Sequence, residues 1–381
     1  LFVEAEQRVL VAELRQHHLF LVRELGQGRE VVRGEAVDAV VRVPGAEGGQ
    51  VVLIDFWDYT CINCLRTLPY LKQWHQRYAE HGLVIIGIHT PEFRFAHFRQ
   101  HLEASIAEYE ILYPILLDNT QENWTRFATR AWPTKFLIDA DGYVRFRRQG
   151  EGHYQETEQA IQMLLRQRQP GLSLPDLLPP LRAEDASGAV CYRPTPELHA
   201  GFQGGGLFGG ALGNPEGYLP NSSVIYQLPP AKVWQEGQFF ADGIWRAWPE
   251  ALAFAGEQGG EIVLPYTAVS VNAVLSPTAD PVESALGLRP TGADPIVEVV
   301  QDGRYLTPEE AGRDVLWGEN GRSYVRIDRP RLVNLVNNLD FGHHTLWLTF
   351  QARGLALYAF TFTGCVASPN NRHNADTFRV P

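Results

Sequence analysis

Methionine and cysteine are scarce in this 381-residue chain, with one Met and four Cys. Four cysteines are too few for a disulfide scaffold, so their positions matter more than their number. Basic residues are in deficit as well: 33 Lys and Arg face 44 Asp and Glu, for a net charge of −11. The longest basic cluster is only Arg145, Arg147 and Arg148, so nucleic acid is not an expected partner. No stretch approaches the ~18 uninterrupted apolar residues of a membrane span. An initiating Met is missing too. The chain begins at Leu1, which points to removal of a signal peptide, a membrane anchor or some other upstream segment. What is present is globular in composition: 45% hydrophobic, 11% aromatic and 20% charged. That leaves ample apolar material for cores and excludes a disordered chain. The length predicts roughly two or three domains.

Composition divides the chain further. Residues 1–45 read as an extension, with an amphipathic helix over Glu4–Leu25 and short strands at Val31–Val32 and Ala39–Val43. Residues 46–168 alternate strand and helix, the pattern of a sheet covered by helices on both faces. Strands are predicted at Val51–Trp57, Leu83–His89, Tyr113–Leu117, Lys135–Asp139 and Tyr143–Arg147, the last two joined by an Asp141-Gly142 hairpin turn. Helices are predicted at Cys64–Glu80, Phe95–Glu108, Gln121–Ala128 and Glu156–Gln167. Prolines at 170, 175, 179, 180 and 194 mark residues 169–194 as a linker. From 195 to 365 only strand signals occur, including Val224–Leu228, Glu261–Leu264, Val269–Leu275, Thr345–Phe350 and Ala356–Thr363. Short strands between Gly, Pro and Asn-rich turns predict an all-β sandwich. Residues 366–381 read as a polar tail.

The chemistry concentrates at Cys61-Ile62-Asn63-Cys64, where a buried strand ends and a helix begins. Unpaired N–H groups and the dipole of a helix N-terminus favour a thiolate, which predicts a lowered pKa for Cys61. Such a thiolate can attack a partner's disulfide, and Cys64, within the same turn, can resolve the mixed disulfide. A zinc site would need two more clustered ligands, and Cys191 and Cys365 are distant and not arranged as a second CxxC. An inert structural disulfide is the other alternative. Asp55 interrupts the apolar strand. A carboxyl there should have a raised pKa and could exchange a proton with Cys64, unless it is merely satisfied by hydrogen bonds at the strand's end.

The segment Val52-Leu53-Ile54-Asp55-Phe56-Trp57 with the following CxxC resembles the central strand and active-site helix of the thioredoxin superfamily. Trp132-Pro133-Thr134-Lys135 resembles the segment that carries that superfamily's cis-proline. Residues Phe95–Asp118 resemble the insertion of the TlpA/ResA branch of extracytoplasmic thiol–disulfide oxidoreductases. Leu68-Pro69-Tyr70-Leu71-Lys72, His89-Thr90-Pro91-Glu92-Phe93, Gly150-Glu151-Gly152 and the β-rich tail are similar to the soluble C-terminal portion of DipZ-type proteins.

The resemblance implies Cys61 as attacking thiol, Cys64 as resolving thiol, Asp55 as proton carrier, Glu92 as an acid near the thiols and Pro133 as the cis-proline. Ile62, Asn63, Trp132 and Thr134 become candidate substrate contacts. It implies disulfide-bearing or dithiol partner proteins and an electron-donating membrane dithiol domain. It further implies an extracytoplasmic location, in the periplasm or cell envelope, with the full-length protein tethered to the membrane. Dithiol exchange needs no metal or organic cofactor, since the Cys61–Cys64 disulfide carries the electrons. Thr60 and Ile62-Asn63 depart from common thioredoxin residues, so the redox poise does not transfer. A peroxidase using Cys61 is a further reading, but a Thr-x-x-Cys motif is absent.

Three remaining features invite a reading. His97 and His101 have metal-ligand spacing, but a solvated helix face explains them better, and no metal is expected. Cys191 and Cys365 bracket the β-rich region and are candidates for a structural disulfide, with two free thiols as the alternative. Period-two alternation sets Trp347 among threonines, opposite Leu346, Leu348 and Phe350. With Trp245 and Trp248 it is a candidate for stacking a carbohydrate ring, since the tail resembles jelly-roll, carbohydrate-binding-module-like domains. The competing reading, in which the chain is mainly a glycan- or protein-binding module with ancillary thiols, rests on these tryptophans; packing under loops is their bland explanation.

Overall fold

The computed structural model describes residues 11–13, 49–203, 211–257, 259–288 and 294–367. The chain forms two compact units, with the boundary between Leu181 and Arg182.

The first unit is built on a six-stranded sheet in the order β1-β4-β3-β2-β5-β6. These strands are β1 (Val11–Glu13), β2 (Val51–Trp57), β3 (Leu83–His89), β4 (Ile115–Leu117), β5 (Thr134–Ile138) and β6 (Val144–Gln149). The helices are α1 (Ile62–Tyr78), α2 (Arg99–Glu108), α3 (Glu122–Arg126) and α4 (Tyr154–Arg168). β2 is parallel to β3 and β3 to β4, while β5 runs antiparallel to β2 and β6 antiparallel to β5. Every residue of β2 is buried, as a continuous apolar run requires when helices cover both faces. Alternation then sorts its side chains. Val52, Ile54 and Phe56 join Ile86, Ile88, Leu116 and Phe136 in one cluster, against which Trp124 and Phe127 pack. Each fully buried side chain of this kind stabilises by roughly 1.5–3 kcal/mol. Asp55 is left on the opposite face of the sheet.

Three expectations need adjustment here. The helix predicted over Glu4–Leu25 lies mostly outside the described residues, as do Val31–Val32 and Ala39–Val43. Its described part, Val11–Glu13, is instead a strand parallel to β4. The helix predicted over Phe95–Glu108 is broken: a 3-10 turn covers Arg94–His97, and Phe98 is extended at φ −83°, ψ 119° before α2. His97 and His101 therefore share no continuous helix, and His101 is buried against the Phe98 ring rather than solvated. The proline-rich stretch after α4 is held rather than free. The Leu178 amide donates to Glu158 Oε2 at 2.8 Å, Gln162 Nε2 donates to the Pro175 carbonyl at 2.8 Å, and the Leu181 amide donates to Tyr70 Oη at 2.8 Å. Prolines cannot donate, and two of the N–H groups among them, those of Leu178 and Leu181, are captured by side chains.

The second unit is all-β apart from short helical turns and α5 (Pro281–Ala285). Its strands are β7 (Val190–Cys191), β8 (Leu198–His199), β9 (Ser223–Tyr226), β10 (Phe240–Ala247), β11 (Leu252–Phe254), β12 (Gly260–Ser276), β13 (Ile296–Gln301), β14 (Arg304–Tyr305), β15 (Leu316–Trp317), β16 (Ser323–Arg326), β17 (Arg331–Phe350), β18 (Ala356–Thr363) and β19 (Cys365–Val366). The expected all-β architecture forms, with most of its strands hydrogen-bonded along one continuous path. Eleven strands make one hydrogen-bonded sheet, and β7 with β19 makes a small second one. β12 pairs with β10 and with β18, while β11 bridges β10 and β18, so the large sheet closes on itself. The cause is strand length. β12 and β17 run 17 and 20 residues, and register shifts between Ala268 and Ser270 and between Val271 and Asn272 let β12 bend. The two strands predicted at Glu261–Leu264 and Val269–Leu275 are thus halves of one. β10 escaped prediction because Asp242-Gly243 interrupts its apolar pattern, Gly243 having φ +95°.

Trp245 is corrected by this core. It is completely buried, edge-on to Phe254 and Phe350, with its indole N–H donated to the Asp242 carbonyl at 2.7 Å. It has no surface to offer a sugar ring. Trp248 is half-buried beneath the Arg246 guanidinium, and Trp347 is half-buried edge-on to Trp234. Cys191 and Cys365 are opposite one another in the β7–β19 pair and form a disulfide.

Candidate active site

β2 delivers the chain to α1 through Asp58-Tyr59-Thr60, and Cys61 takes the N-cap position of that helix. Its sulfur accepts the Cys64 amide at 3.3 Å, the bond a capping side chain makes to the third helical residue. Cys61 is partly exposed and Cys64 is buried, and both are free thiols. The accessible sulfur is therefore the first, and the second waits one turn behind it. Ile62 and Asn63 are half-buried at the start of the helix.

The electrostatics revise one expectation. Burial pushes the Cys61 thiol above its ordinary range rather than below it; hydrogen bonds from the Cys64 side chain and amide pull it back, and the charges of Glu92 and Asp58 push it up. Helix-terminal stabilisation is outweighed by desolvation and two acids. Cys64 rises much further, again through burial first, then through its bond to Cys61 and the charges of Cys61 and Asp55. The order of ionisation survives: Cys61 loses its proton before Cys64.

Asp55 lies on the sheet face turned toward Cys64. It is 1% exposed, and its Oδ1 lacks a hydrogen-bond partner. Burial lifts its carboxyl to about 7, with Lys135 opposing. Gly87 sits level with Asp55 on β3. A Cβ there would meet Ile115 Cδ1 at 2.5 Å and Trp57 Nε1 at 3.0 Å, so only glycine fits between these side chains.

Lys135 was overlooked among the strand's apolar residues. It stands directly opposite Asp55 in the β2–β5 register and is wholly buried, its ammonium donating to the Gly150 carbonyl at 3.3 Å. Burial lowers its pKa, while Asp55, Cys64 and Glu151 raise it. A lysine inside a predicted buried strand, opposite a predicted buried acid, was the available signal. Asp58 was overlooked as well. It is fully buried, and its carboxylate gathers the Thr60 amide and hydroxyl, both at 2.7 Å, and the Glu92 amide at 2.8 Å.

The Trp132–Pro133 peptide is cis. Thr134 pairs with Phe56, which puts Pro133 level with the end of β2 and the entry to the thiol turn. Trp132 is half-buried with its ring 4.4 Å from that of Trp124. Thr134 is completely buried and donates its hydroxyl to the Ala131 carbonyl at 2.6 Å, so its side chain cannot touch a substrate. Its role is to close the proline turn.

Residues 35–147 match the AhpC/TSA family, and residues 195–363 match a family described as the thioredoxin like C-terminal domain. The first unit is a thioredoxin-like domain. Protein DipZ of Mycobacterium bovis is 39% identical over 183 residues, 48% of this chain and 25% of DipZ, so the chain spans a quarter of that relative's length. Thiol-disulfide oxidoreductase ResA of Bacillus thuringiensis is 27% identical over 116 residues, 30% of this chain and 64% of ResA. A solved thiol-disulfide isomerase from Corynebacterium glutamicum shares 22% identity at a TM-score of 0.28, covering 31% of this chain and 82% of its own. The thioredoxin-like unit carries the CxxC, the buried acid and the cis-proline together.

Proposed function

We propose that this chain is a thiol–disulfide oxidoreductase acting on disulfide-bearing proteins outside the cytoplasm. The observation that carries the reading is the asymmetry of the two thiols. Cys61 is accessible and capped onto a helix, while Cys64 is buried and bonded to it. In the first step the Cys61 thiolate attacks one sulfur of a partner disulfide. A mixed disulfide forms, and the partner's other sulfur leaves as a thiolate. Cys64 then gives its proton to the Asp55 carboxylate and attacks the Cys61 sulfur. The Cys61–Cys64 disulfide closes, and the second partner sulfur departs, so the partner is reduced by two electrons. Pro133 and the adjoining backbone offer an edge for the partner's extended segment.

We assign the direction as reduction, with electrons supplied by a membrane-embedded dithiol domain. The Cys191–Cys365 disulfide supports an oxidising compartment, since such bonds rarely persist in the cytosol. Among the described residues no helix is long and apolar enough to cross a membrane, so the donor would lie outside them. The second unit is assigned to recognition, of a protein or of a carbohydrate through Trp347 on a jelly-roll-like sheet. Incubating the Cys64→Ser protein with a disulfide-bonded model protein tests the reading. A trapped mixed disulfide at Cys61 is the expected product. Adducts at no cysteine, or equally in Cys61→Ser, would remove it.

A further inference from the structure

Asp58 is the acid nearest the thiols in sequence, and nothing in the exchange steps employs it. Its surroundings are unusual for a carboxylate. It is 0% exposed. Its hydrogen-bond donors, the Thr60 amide, the Thr60 hydroxyl and the Glu92 amide, are all neutral. Two rings could supply positive charge: His97, lowered by burial though the Asp58 charge raises it, and His89, whose Nε2 lies 3.8 Å from Asp58 Oδ2. That histidine is fully buried, stacked on Tyr59 with ring centroids 5.3 Å apart, and burial lowers it to about 4. At neutral pH it is an uncharged neighbour. The Asp58 carboxylate is thus held by neutral dipoles, without a counter-cation from His89.

The three hydrogen bonds also join two separate pieces of the site. Thr60 belongs to the turn that presents Cys61, and Glu92 to the loop following β3. The Cys61 amide in turn donates to the Asp58 carbonyl at 3.2 Å. One residue therefore grips the thiol turn from both its main chain and its side chain, and ties the Glu92 loop to it. The groups whose charge reaches Cys61 are Glu92 from that loop and Asp58 from the end of β2, while Cys64 from α1 acts on it through hydrogen bonds.

Resting on the oxidoreductase reading, we propose that Asp58 is a positioning residue that locks the Glu92 loop to the thiol turn and sets a buried negative charge beneath Cys61, weighting the dithiol toward electron donation. The physical reason is that a reduced pair is stabilised when its first sulfur can ionise. A strong oxidant owes its potential to such a stabilised thiolate, and an acid beneath the sulfur withdraws that stabilisation.

The test is the pH midpoint of Cys61 alkylation, with peptide mapping, together with the glutathione equilibrium of the full chain. Asp58→Asn keeps the shape and removes the charge. We expect the midpoint to fall by roughly half to one pH unit, as loss of one nearby like charge does, and the dithiol to become the weaker reductant in glutathione buffers. Thr60→Val removes one donor and retains the charge, so its midpoint should stay or rise. An unchanged midpoint in Asp58→Asn, or the same fall in Thr60→Val, overturns the proposal. Wild-type protein that fails to reduce a model disulfide would instead sink the underlying oxidoreductase reading, whatever the variants show.

Discussion

The two units use the same residue types to opposite ends. In the first, the cysteines are free and three residues apart, and buried polar atoms stay unpaired around them: Asp55 Oδ1, Trp57 Nε1, Tyr113 Oη and both ring nitrogens of His89. In the second, the cysteines are bonded 174 residues apart, and buried polar side chains answer one another. Tyr266 donates to Gln301 at 2.5 Å, Gln301 to Asn338 at 2.9 Å, and Asn338 back to Tyr266 at 3.0 Å. Among the described residues Thr361 Oγ1 is the one buried side-chain atom of the second unit without a partner. Unsatisfied buried groups cost stability. Several of them in the first unit surround the reactive thiols, and their near-absence among the described residues of the second marks a unit built to hold its shape.

The contrast is easiest to break with the cysteines themselves. Cys61→Ser should abolish reduction of a model disulfide. Cys191→Ser with Cys365→Ser should leave the reduction rate within about twofold while lowering the stability of the second unit, by up to about 5 kcal/mol from loop-closure entropy. Chemical denaturation alongside an exchange assay measures both. If removing the Cys191–Cys365 bond stopped exchange, the separation of roles would be wrong.

A smaller effect sharpens the part played by Asp55. Its carboxyl titrates near 7 in the folded chain, against an ordinary value of 3.8. Between those values the folded state binds more protons than the unfolded one, so stability falls as pH rises from about 4 to about 7. Asp55→Asn should flatten that slope and slow resolution of the mixed disulfide. Urea titrations at pH 4.5 and 8 check the first outcome, and trapping kinetics the second. A slope equal to that of the wild type would mean the carboxyl is ionised throughout.

The smallest effect belongs to Lys135, which opposes the burial penalty on Asp55. Lys135→Met keeps the volume and removes the ammonium, so the Asp55 carboxyl should titrate higher and the lower limb of the pH–rate profile should move up with it. An unmoved profile would reduce the lysine to a packing residue.

Much of this was readable from the residues. Val51–Trp57 and Leu83–His89 form strands with the expected bounds because they are continuous apolar runs, and Ala356–Thr363 likewise. The thiols, Asp55 and Pro133 announced themselves through a motif. What escaped depended on tertiary pairing. Lys135 has meaning only opposite Asp55, which requires the β2–β5 register. Asp58 has meaning only when Glu92, 34 positions later, returns to it. Trp245 looked like its neighbour Trp248 in sequence, and only the closing of the sheet sends one inward. The single bent β12 was unreadable because its bulges resemble a turn between two strands.

The central claim is that Cys61 and Cys64 form the working redox couple while Cys191 and Cys365 are a staple. Equilibrating the full chain in glutathione buffers of graded potential, then quenching by alkylation and mapping each cysteine by mass spectrometry, tests it directly. The account predicts one reversible two-electron transition at Cys61–Cys64, at a potential more reducing than the glutathione couple, with Cys191–Cys365 oxidised throughout. A transition at Cys191–Cys365 with Cys61 and Cys64 remaining free thiols would contradict it.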